Sequence, residues 1–200
     1  MMASDRGGVS TDTPLPAGTD TRTRIVDAGI RCVARAGVHG ASMSAIATEA
    51  AVSKALLHYH FADRARLLAE MVATVGQRLV ARERSALAHG PDTRTIDLLW
   101  DWLDVELRKG ELRALSELQM VPSPLVRLAS ERVATDRRVA AASIVRGLFA
   151  RLGLTPRIDV ELIGDTTIAF IDGLALDRTS ARDARVSFDV FWLAILSLAD

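Results

Sequence analysis

The sequence predicts an all-α protein. From Thr21 onward, apolar residues recur every three to four positions through most of the chain, which is the spacing of one helix face. No stretch alternates apolar and polar residues for long enough to predict a strand, and strong helix formers such as Ala, Leu, Arg and Glu fill the segments between breaks. With 200 residues, 49% of them hydrophobic and 25% charged, the chain has enough apolar material for a globular core.

Three short helices are predicted near the start of the chain. The first begins near Thr21 and stops at Gly37. A second follows through Ile46, with Ser42 or Ser44 as its cap. Ser53 can cap the third, because a serine oxygen accepts the free amide hydrogens of a first helical turn.

Longer helices are predicted after these three. The fourth begins near Asp63, and Gly90, Pro91 and Asp92 interrupt it. A segment with Ile96, Leu99 and Leu103 then runs to Gly110, and the next break falls at 121–124. The remaining pattern predicts helices at about 125–152, 158–176 and 182–198.

Charge is distributed unevenly along the chain. The 25 basic and 25 acidic residues cancel, which excludes a uniformly basic nucleic-acid-binding protein. Residues 22–68 nevertheless hold seven basic against three acidic residues, a net charge of +4, so the rest carries −4. His39, His58, Tyr59 and His60 lie in the same basic segment.

The single cysteine and the N-terminal segment bear on the cellular compartment. Cys32 has no partner for an internal disulfide, and its place on the apolar face of the first helix predicts a small buried hydrophobe. Residues 1–21 contain acids and prolines and are predicted to form a disordered tail, not a signal peptide. The longest near-apolar run, 190–199, is shorter than the about 20 residues that cross a bilayer, so we expect a cytoplasmic protein.

The segment 42–61, SMSAIATEAAVSKALLHYHF, has helix-turn-helix spacing. Ala47 is small where two helices cross, Ala51 lies four residues on in the turn, and Leu57 lies ten residues on and faces the core. The longer segment GVHGASMSAIATEAAVSKALLHYHFADRARLL resembles the DNA-binding segment of the tetracycline-repressor (TetR) family of bacterial regulators. The resemblance covers about 22–68, and the rest of the chain is similar to that family in length and number of helices.

The resemblance implies a set of DNA contacts. Ser42 and Ser44 would meet phosphate at the start of the second helix, and the third helix would enter the major groove and present its first residues to base edges. The residues that would contact DNA are Ser42, Ser44, Lys54, Ala55, Leu56, His58, Tyr59, His60 and Arg64.

Three positions differ from the family pattern. Ala51 stands where a turn glycine is usual, and Ala55 where glycine or proline is common. His58 stands where a tyrosine commonly binds phosphate. A neutral histidine still donates one hydrogen bond, so we expect DNA binding with a pH dependence near the titration range of histidine.

Residues 69–200 are predicted to bind a ligand and to form a dimer. The residues predicted to line a ligand cavity are Trp100, Leu103, Leu107, Leu118, Phe149 and Phe170. The alternative is that the aromatic residues simply fill a core, and Trp100 and Trp102 cannot both face inward, because they are two positions apart. The acids Asp101, Asp104, Glu106 and Glu111 are interpreted as a solvated face.

The last helix carries a wide apolar surface. Phe188, Phe191, Trp192 and Ile195 are predicted to form a homodimer interface, with a monomer core as the alternative. Two-fold symmetry would double the few contacts that one helix-turn-helix makes and would select a palindromic operator.

The layout of the chain and its resemblance to the TetR family imply a ligand-responsive transcriptional regulator, and we expect a repressor that a small hydrophobic effector releases from DNA. No cofactor is expected. A metal site at His58 and His60 is disfavoured, because residues two apart on a helix point to different sides. The alternatives are an all-α binding protein or enzyme, against which stands the lack of HExxH, GxSxG and glycine-rich phosphate loops, and a sequence-independent DNA organiser.

Overall fold

The computed structural model describes residues 17–88, 94–177 and 181–200. Within these residues the chain forms nine helices and no strand, so the predicted all-α class is confirmed. The helices are α1 (Ala17–Gly40), α2 (Met43–Glu49), α3 (Lys54–His60), α4 (Arg64–Ala88), α5 (Thr95–Lys109), α6 (Glu111–Gln119), α7 (Pro124–Leu152), α8 (Val160–Leu176) and α9 (Ala181–Leu196). None of the described helices is long and apolar enough to span a membrane.

The first three helices agree with the sequence expectation. Gly37 breaks the regular geometry of α1 with φ 72° and ψ 171°, a conformation that a residue without a β-carbon adopts readily. Ser42 caps α2 and Ser53 caps α3, each through its hydroxyl oxygen. Residues 17–21 of the predicted tail belong to α1, and 1–16 lie outside the described residues.

The longer helices also follow the sequence pattern, with one addition. The predicted helix over 125–152 is the single 29-residue helix α7, and the two final helices lie within two residues of their predicted limits. The additional helix is α6, which follows Gly110 at φ 71°. The predicted break at 90–92 lies outside the described residues.

Helix α7 packs against both α4 and α8 in the larger part of the molecule. Gly164 permits the close approach of α8 to α7, because a β-carbon at this position would lie 2.9 Å from the backbone nitrogen of Ala142. The core formed by these helices is continuous with the core of α1–α3.

The interpretation of Glu106 as part of a solvated face was wrong. Glu106 is 1% exposed and accepts hydrogen bonds from Nε and Nη2 of Arg82 at 2.8 and 2.7 Å. The Nζ atom of Lys109 lies 3.2 Å from the same carboxylate. A buried carboxylate must be paired, so this cluster ties α4 firmly to α5. Asp101, by contrast, is exposed as expected.

Candidate DNA-binding surface and effector cavity

Helix α3 has one buried face and one exposed face. Leu57 is fully buried and belongs to the same core as Ile46 and Ala47 of α2. This anchors α3 and leaves the predicted contacts Lys54, Ala55, Leu56, His58 and Tyr59 exposed, with Tyr59 82% exposed. His60 is only partly buried, and its ring lies edge-on to that of Tyr59.

The turn between α2 and α3 requires a left-handed residue. Ala51 has φ 52°, and it is the only residue other than glycine with a positive φ among the described residues. This conformation explains why glycine suits this position, and it strains the alanine that stands there.

The two serines at the start of α2 have different roles within the fold. The Ser42 hydroxyl oxygen accepts a hydrogen bond from the Ala45 backbone N–H at 3.1 Å. The hydroxyl hydrogen of Ser42 therefore stays available to a phosphate oxygen. Ser44 is exposed, and its carbonyl accepts a hydrogen bond from the Thr48 hydroxyl.

Arg64 stabilises the helix-turn-helix from within. Its Nη2 and Nη1 atoms donate to the carbonyl oxygens of Val38 and Ala41 at 2.6 and 2.9 Å, near the end of α1. The arginine thus joins the start of α4 to the DNA-binding part, and its contact with DNA stays a prediction.

Most of the other cations in the basic segment also bind groups within the chain. Arg22 pairs with Glu70, Arg24 donates to the Ala50 carbonyl, Arg31 and Arg35 share Glu49, and Arg66 lies near Asp63. Lys54 differs: it is exposed and has no ion pair or hydrogen bond with the described residues. An unpaired ammonium at the first position of α3 is free to meet an external anion.

The larger part of the molecule encloses a small cavity between α4, α5, α7, α8 and α9. Its volume of about 20 Å³ is the room of a single water molecule. Of the residues predicted to bind a ligand, Leu103 and Phe170 line this cavity, and their contact with a ligand stays a prediction. The other lining residues are Glu83, Leu99, Trp102, Ala141, Ile144, Val145, Thr167, Ile171, Phe188 and Trp192.

The remaining predicted ligand residues are not brought to this cavity. Trp100 and Leu107 line a separate, more open groove against Leu174 and Ala175. Leu118 and Phe149 are fully buried in the core. As expected, Trp100 and Trp102 do not face the same space. Trp102 lines the cavity, whereas Trp100 had been assigned to it.

Sequence reasoning missed Glu83, and it assigned Trp100 to the cavity in place of Trp102. A signal for Glu83 was present, because Val72, Gly76, Leu79 and Glu83 follow one another at helical spacing and the first three are buried. Burial raises the pKa of Glu83 to about 7 and outweighs the opposing effects of nearby arginines.

The residues predicted to form the dimer interface lie mostly inside the chain. Phe188, Trp192 and Ile195 are buried, and Phe191 stacks on Phe170 with ring centroids 4.2 Å apart. A different face of the last two helices is exposed and apolar. Its members, each more than half exposed, are Leu162, Leu176, Val186, Val190 and Leu193.

Both the sequence and the fold match known proteins. The family model of bacterial regulatory proteins of the tetR family matches residues 25–71. Over 110 residues the chain is 31% identical to the HTH-type nicotine-responsive transcriptional repressor HdnoR of Paenarthrobacter nicotinovorans. This match covers 50% of the chain and 53% of HdnoR, so the chain spans about half the length of the curated relative it matches.

Solved structures share the fold over nearly the whole chain. A transcriptional regulator from Rhodococcus sp. Rha1 has a TM-score of 0.73 at 21% identity, covering 90% of this chain and 97% of that one. GusR of Salmonella enterica has a TM-score of 0.72 at 22% identity, covering 92% and 97%.

The segment that matches the family model contains the helix-turn-helix of α2 and α3. Residues 25–71 match the tetR family of bacterial regulatory proteins, and the solved structures share the fold of the chain as a whole.

Proposed function

We propose that this regulator represses transcription as a homodimer on a palindromic operator, and that a small hydrophobic effector releases it. It acts in the cytoplasm, where the operator DNA lies, and it catalyses no reaction. The observation that carries the proposal is the division of α3, which buries Leu57 and exposes Lys54 and Tyr59. A helix anchored on one side and polar on the other can enter the major groove.

The exposed apolar face of α8 and α9 supports the homodimer. Val186, Val190 and Leu193 recur at helical spacing on α9, and Leu162 and Leu176 lie on α8. Apolar surface grouped in this way gains free energy when a second copy covers it. We therefore assign the interface to this face in place of the buried residues Phe188, Trp192 and Ile195.

Helix α4 connects the effector cavity with the DNA-binding part, and α6 makes a second contact between the larger part of the molecule and α1. Helix α4 lines the cavity through Glu83 and, at its other end, holds α1 through Arg64. Helix α6 reaches α1 through Glu117, whose carboxylate accepts from the Val38 N–H at 3.0 Å. An effector that prefers one position of these helices shifts the protein toward that position. If DNA prefers the other position, the effector lowers the affinity for DNA by the same factor by which DNA lowers the affinity for the effector.

The name of the relative HdnoR describes a repressor that responds to nicotine. Because the match covers half of each chain, it supports a repressor that responds to a small molecule and leaves the effector of this chain to be found by experiment.

The proposal is tested by selecting bound sequences from a random duplex pool, at near-physiological salt and with excess competitor DNA. The expected result is one palindromic motif. It should be retained by the protein when competitor DNA is increased, because specific contacts add to the salt-dependent phosphate contacts.

Other results would overturn it. Folded protein that retains DNA without a preferred motif would be a sequence-independent DNA organiser. Folded protein that retains no DNA would favour a binding protein or an enzyme, with residues 69–200 as its functional part.

A further inference from the structure

Two polar groups at the small cavity, Glu83 and the Trp102 indole N–H, have no hydrogen-bond partner among the described residues. Trp102 is 8% exposed, and its Nε1 atom is buried without a hydrogen-bond partner among the described residues. Glu83 faces the same cavity from α4 and forms no ion pair or hydrogen bond within the described part of the chain. The rest of the cavity wall is almost wholly apolar.

Unused polar groups in a buried site are costly. A buried N–H without an acceptor costs about 1–3 kcal/mol, and native proteins contain few of them. The cavity has room for one water molecule, but a ligand atom in the same position would also satisfy the indole N–H. Such a group suits a site that is completed by binding.

The charges around Glu83 do not neutralise it. Arg137 of α7 donates to both carboxylate oxygens of Asp172 at 2.9 and 2.7 Å, so its charge is already matched. Arg84, the other nearby cation, follows Glu83 on α4 and is exposed. Desolvation therefore dominates, and the pKa of Glu83 stands at about 7. A cation placed in the cavity would stabilise the ionised carboxylate.

Aromatic rings surround the same space. Trp102, Phe170, Phe188 and Trp192 line the cavity, and the faces of such rings attract cations. A carboxylate among aromatic rings favours an organic cation and disfavours a carboxylate ligand, because two like charges would be desolvated together.

We propose that the effector is a protonated organic amine with an apolar body, whose ammonium group binds Glu83 and whose hydrogen-bond acceptor takes the Trp102 N–H. This inference rests on the proposed function in treating the cavity as the effector site. Since the cavity is small, the amine must part the aromatic rings as it enters, and Glu83 transmits the displacement to α4.

The test uses the full chain and three probes of one shape: 4-phenylbutylamine, 4-phenylbutanol and 4-phenylbutyrate. Isothermal titration calorimetry should show the amine binding at least tenfold more tightly than the alcohol and the carboxylate. The amine stays protonated at pH 7. Because the pKa of Glu83 is about 7, roughly half of the carboxyl groups are protonated at pH 7, and binding of the cation should release these protons. Titrations in buffers of different ionisation enthalpy measure the number of protons released.

Three variants distinguish the role of the Glu83 carboxylate from that of the Trp102 N–H. Glu83→Gln should abolish both the preference for the amine and the proton release, while alcohol binding stays unchanged. Trp102→Phe keeps the ring and removes the N–H, so it should weaken a methoxy-substituted 4-phenylbutylamine, which carries an acceptor, relative to the native chain. The control Asp101→Asn removes an exposed carboxylate of α5 and should change neither measurement.

Equal binding of the three probes, binding of none, or an amine preference that survives in folded Glu83→Gln protein would overturn the inference. If the chain is an operator-binding repressor, the selection experiment still yields one palindromic DNA motif in each of these cases. Conversely, amine binding through Glu83 without a DNA motif would support the cation site and overturn the proposed function.

Discussion

Ala51 carries backbone strain at the turn of the helix-turn-helix. A residue with a β-carbon at φ 52° costs about 1–2 kcal/mol, which glycine avoids, although glycine also gives the unfolded chain more freedom. We expect Ala51→Gly to stabilise the fold by about 0.5–1 kcal/mol, a rise of about 2 °C in Tm. Thermal unfolding followed by circular dichroism measures the change.

The matched control for this substitution is Ala55→Gly. Ala55 is exposed within α3, where glycine costs up to about 1 kcal/mol relative to alanine. The two variants should therefore shift Tm in opposite directions. A fall in Tm for both would show that the strain at Ala51 is not released by glycine.

Lys54 and Tyr59 together test the DNA-binding surface of α3. Lys54→Ala combined with Tyr59→Ala should weaken operator binding by about tenfold or more and lower the salt slope by about one per protomer, because one cation is removed. Neither side chain supports the core, so Tm and oligomeric state should stay unchanged. Fluorescence anisotropy with the selected operator at several salt concentrations provides the measurement.

Arg132 supplies the control for charge. It is exposed on α7, far along the chain from α3, and Arg132→Ala removes one cation without touching the DNA-binding part. Native affinity in the Lys54 and Tyr59 double variant, or an equal loss in Arg132→Ala, would refute the assignment of DNA contacts to α3.

At the scale of elements, α6 is the second link between the two parts of the chain. The Glu117 carboxylate accepts from Val38 N–H and from Arg113 Nε, both at 3.0 Å. Glu117→Ala should leave the Val38 amide without its acceptor and destabilise the fold by about 1–2 kcal/mol. Hydrogen exchange should speed up at Val38.

The control for Glu117→Ala is a substitution in an exposed ion pair. Glu131 pairs with Arg127 on the surface of α7 at 3.3 Å, and such pairs contribute little, so Glu131→Ala should change the free energy of unfolding by less than about 0.5 kcal/mol. If Glu117→Ala behaves like Glu131→Ala and exchange at Val38 is unchanged, α6 is not coupled to α1 through this bond.

The elements could be predicted well from the sequence because local signals mark them. Ser42 and Ser53 cap helices, Gly37 ends regular α1, and one unbroken apolar pattern gives α7. Helix α6 was missed, although Gly110 at φ 71° separates it from α5, because nine residues make a short pattern.

The larger-scale features could not be predicted in the same way. Whether an apolar residue of α9 faces its own chain or a second copy depends on where α8 and α5 pack, which spacing does not reveal. Phe188 and Trp192 were thus assigned to an interface although they line the cavity. Glu106 was assigned to a solvated face because its partner Arg82 lies 24 positions away in the chain.

At the scale of the whole molecule, we expect the exposed face of α8 and α9 to determine the oligomeric state. Val190→Glu combined with Leu193→Glu places two charges on side chains that are 61% and 69% exposed, so the monomer fold should tolerate them. In a dimer the same carboxylates would be desolvated next to their symmetry copies, which costs several kcal/mol. Sedimentation velocity should show a dimer for the native chain and a monomer for the variant.

The predicted dimer also determines the affinity expected for the palindromic operator. A monomer reaches one half-site only, so the variant should bind the full palindrome about as weakly as a single half-site, although α3 is unchanged. Val139→Glu is the control, since Val139 is 60% exposed on α7 and lies outside the assigned face. A dimer that persists in the double variant, or a monomer produced equally by Val139→Glu, would move the interface away from α8 and α9. The two half-sites would then be bridged by another surface.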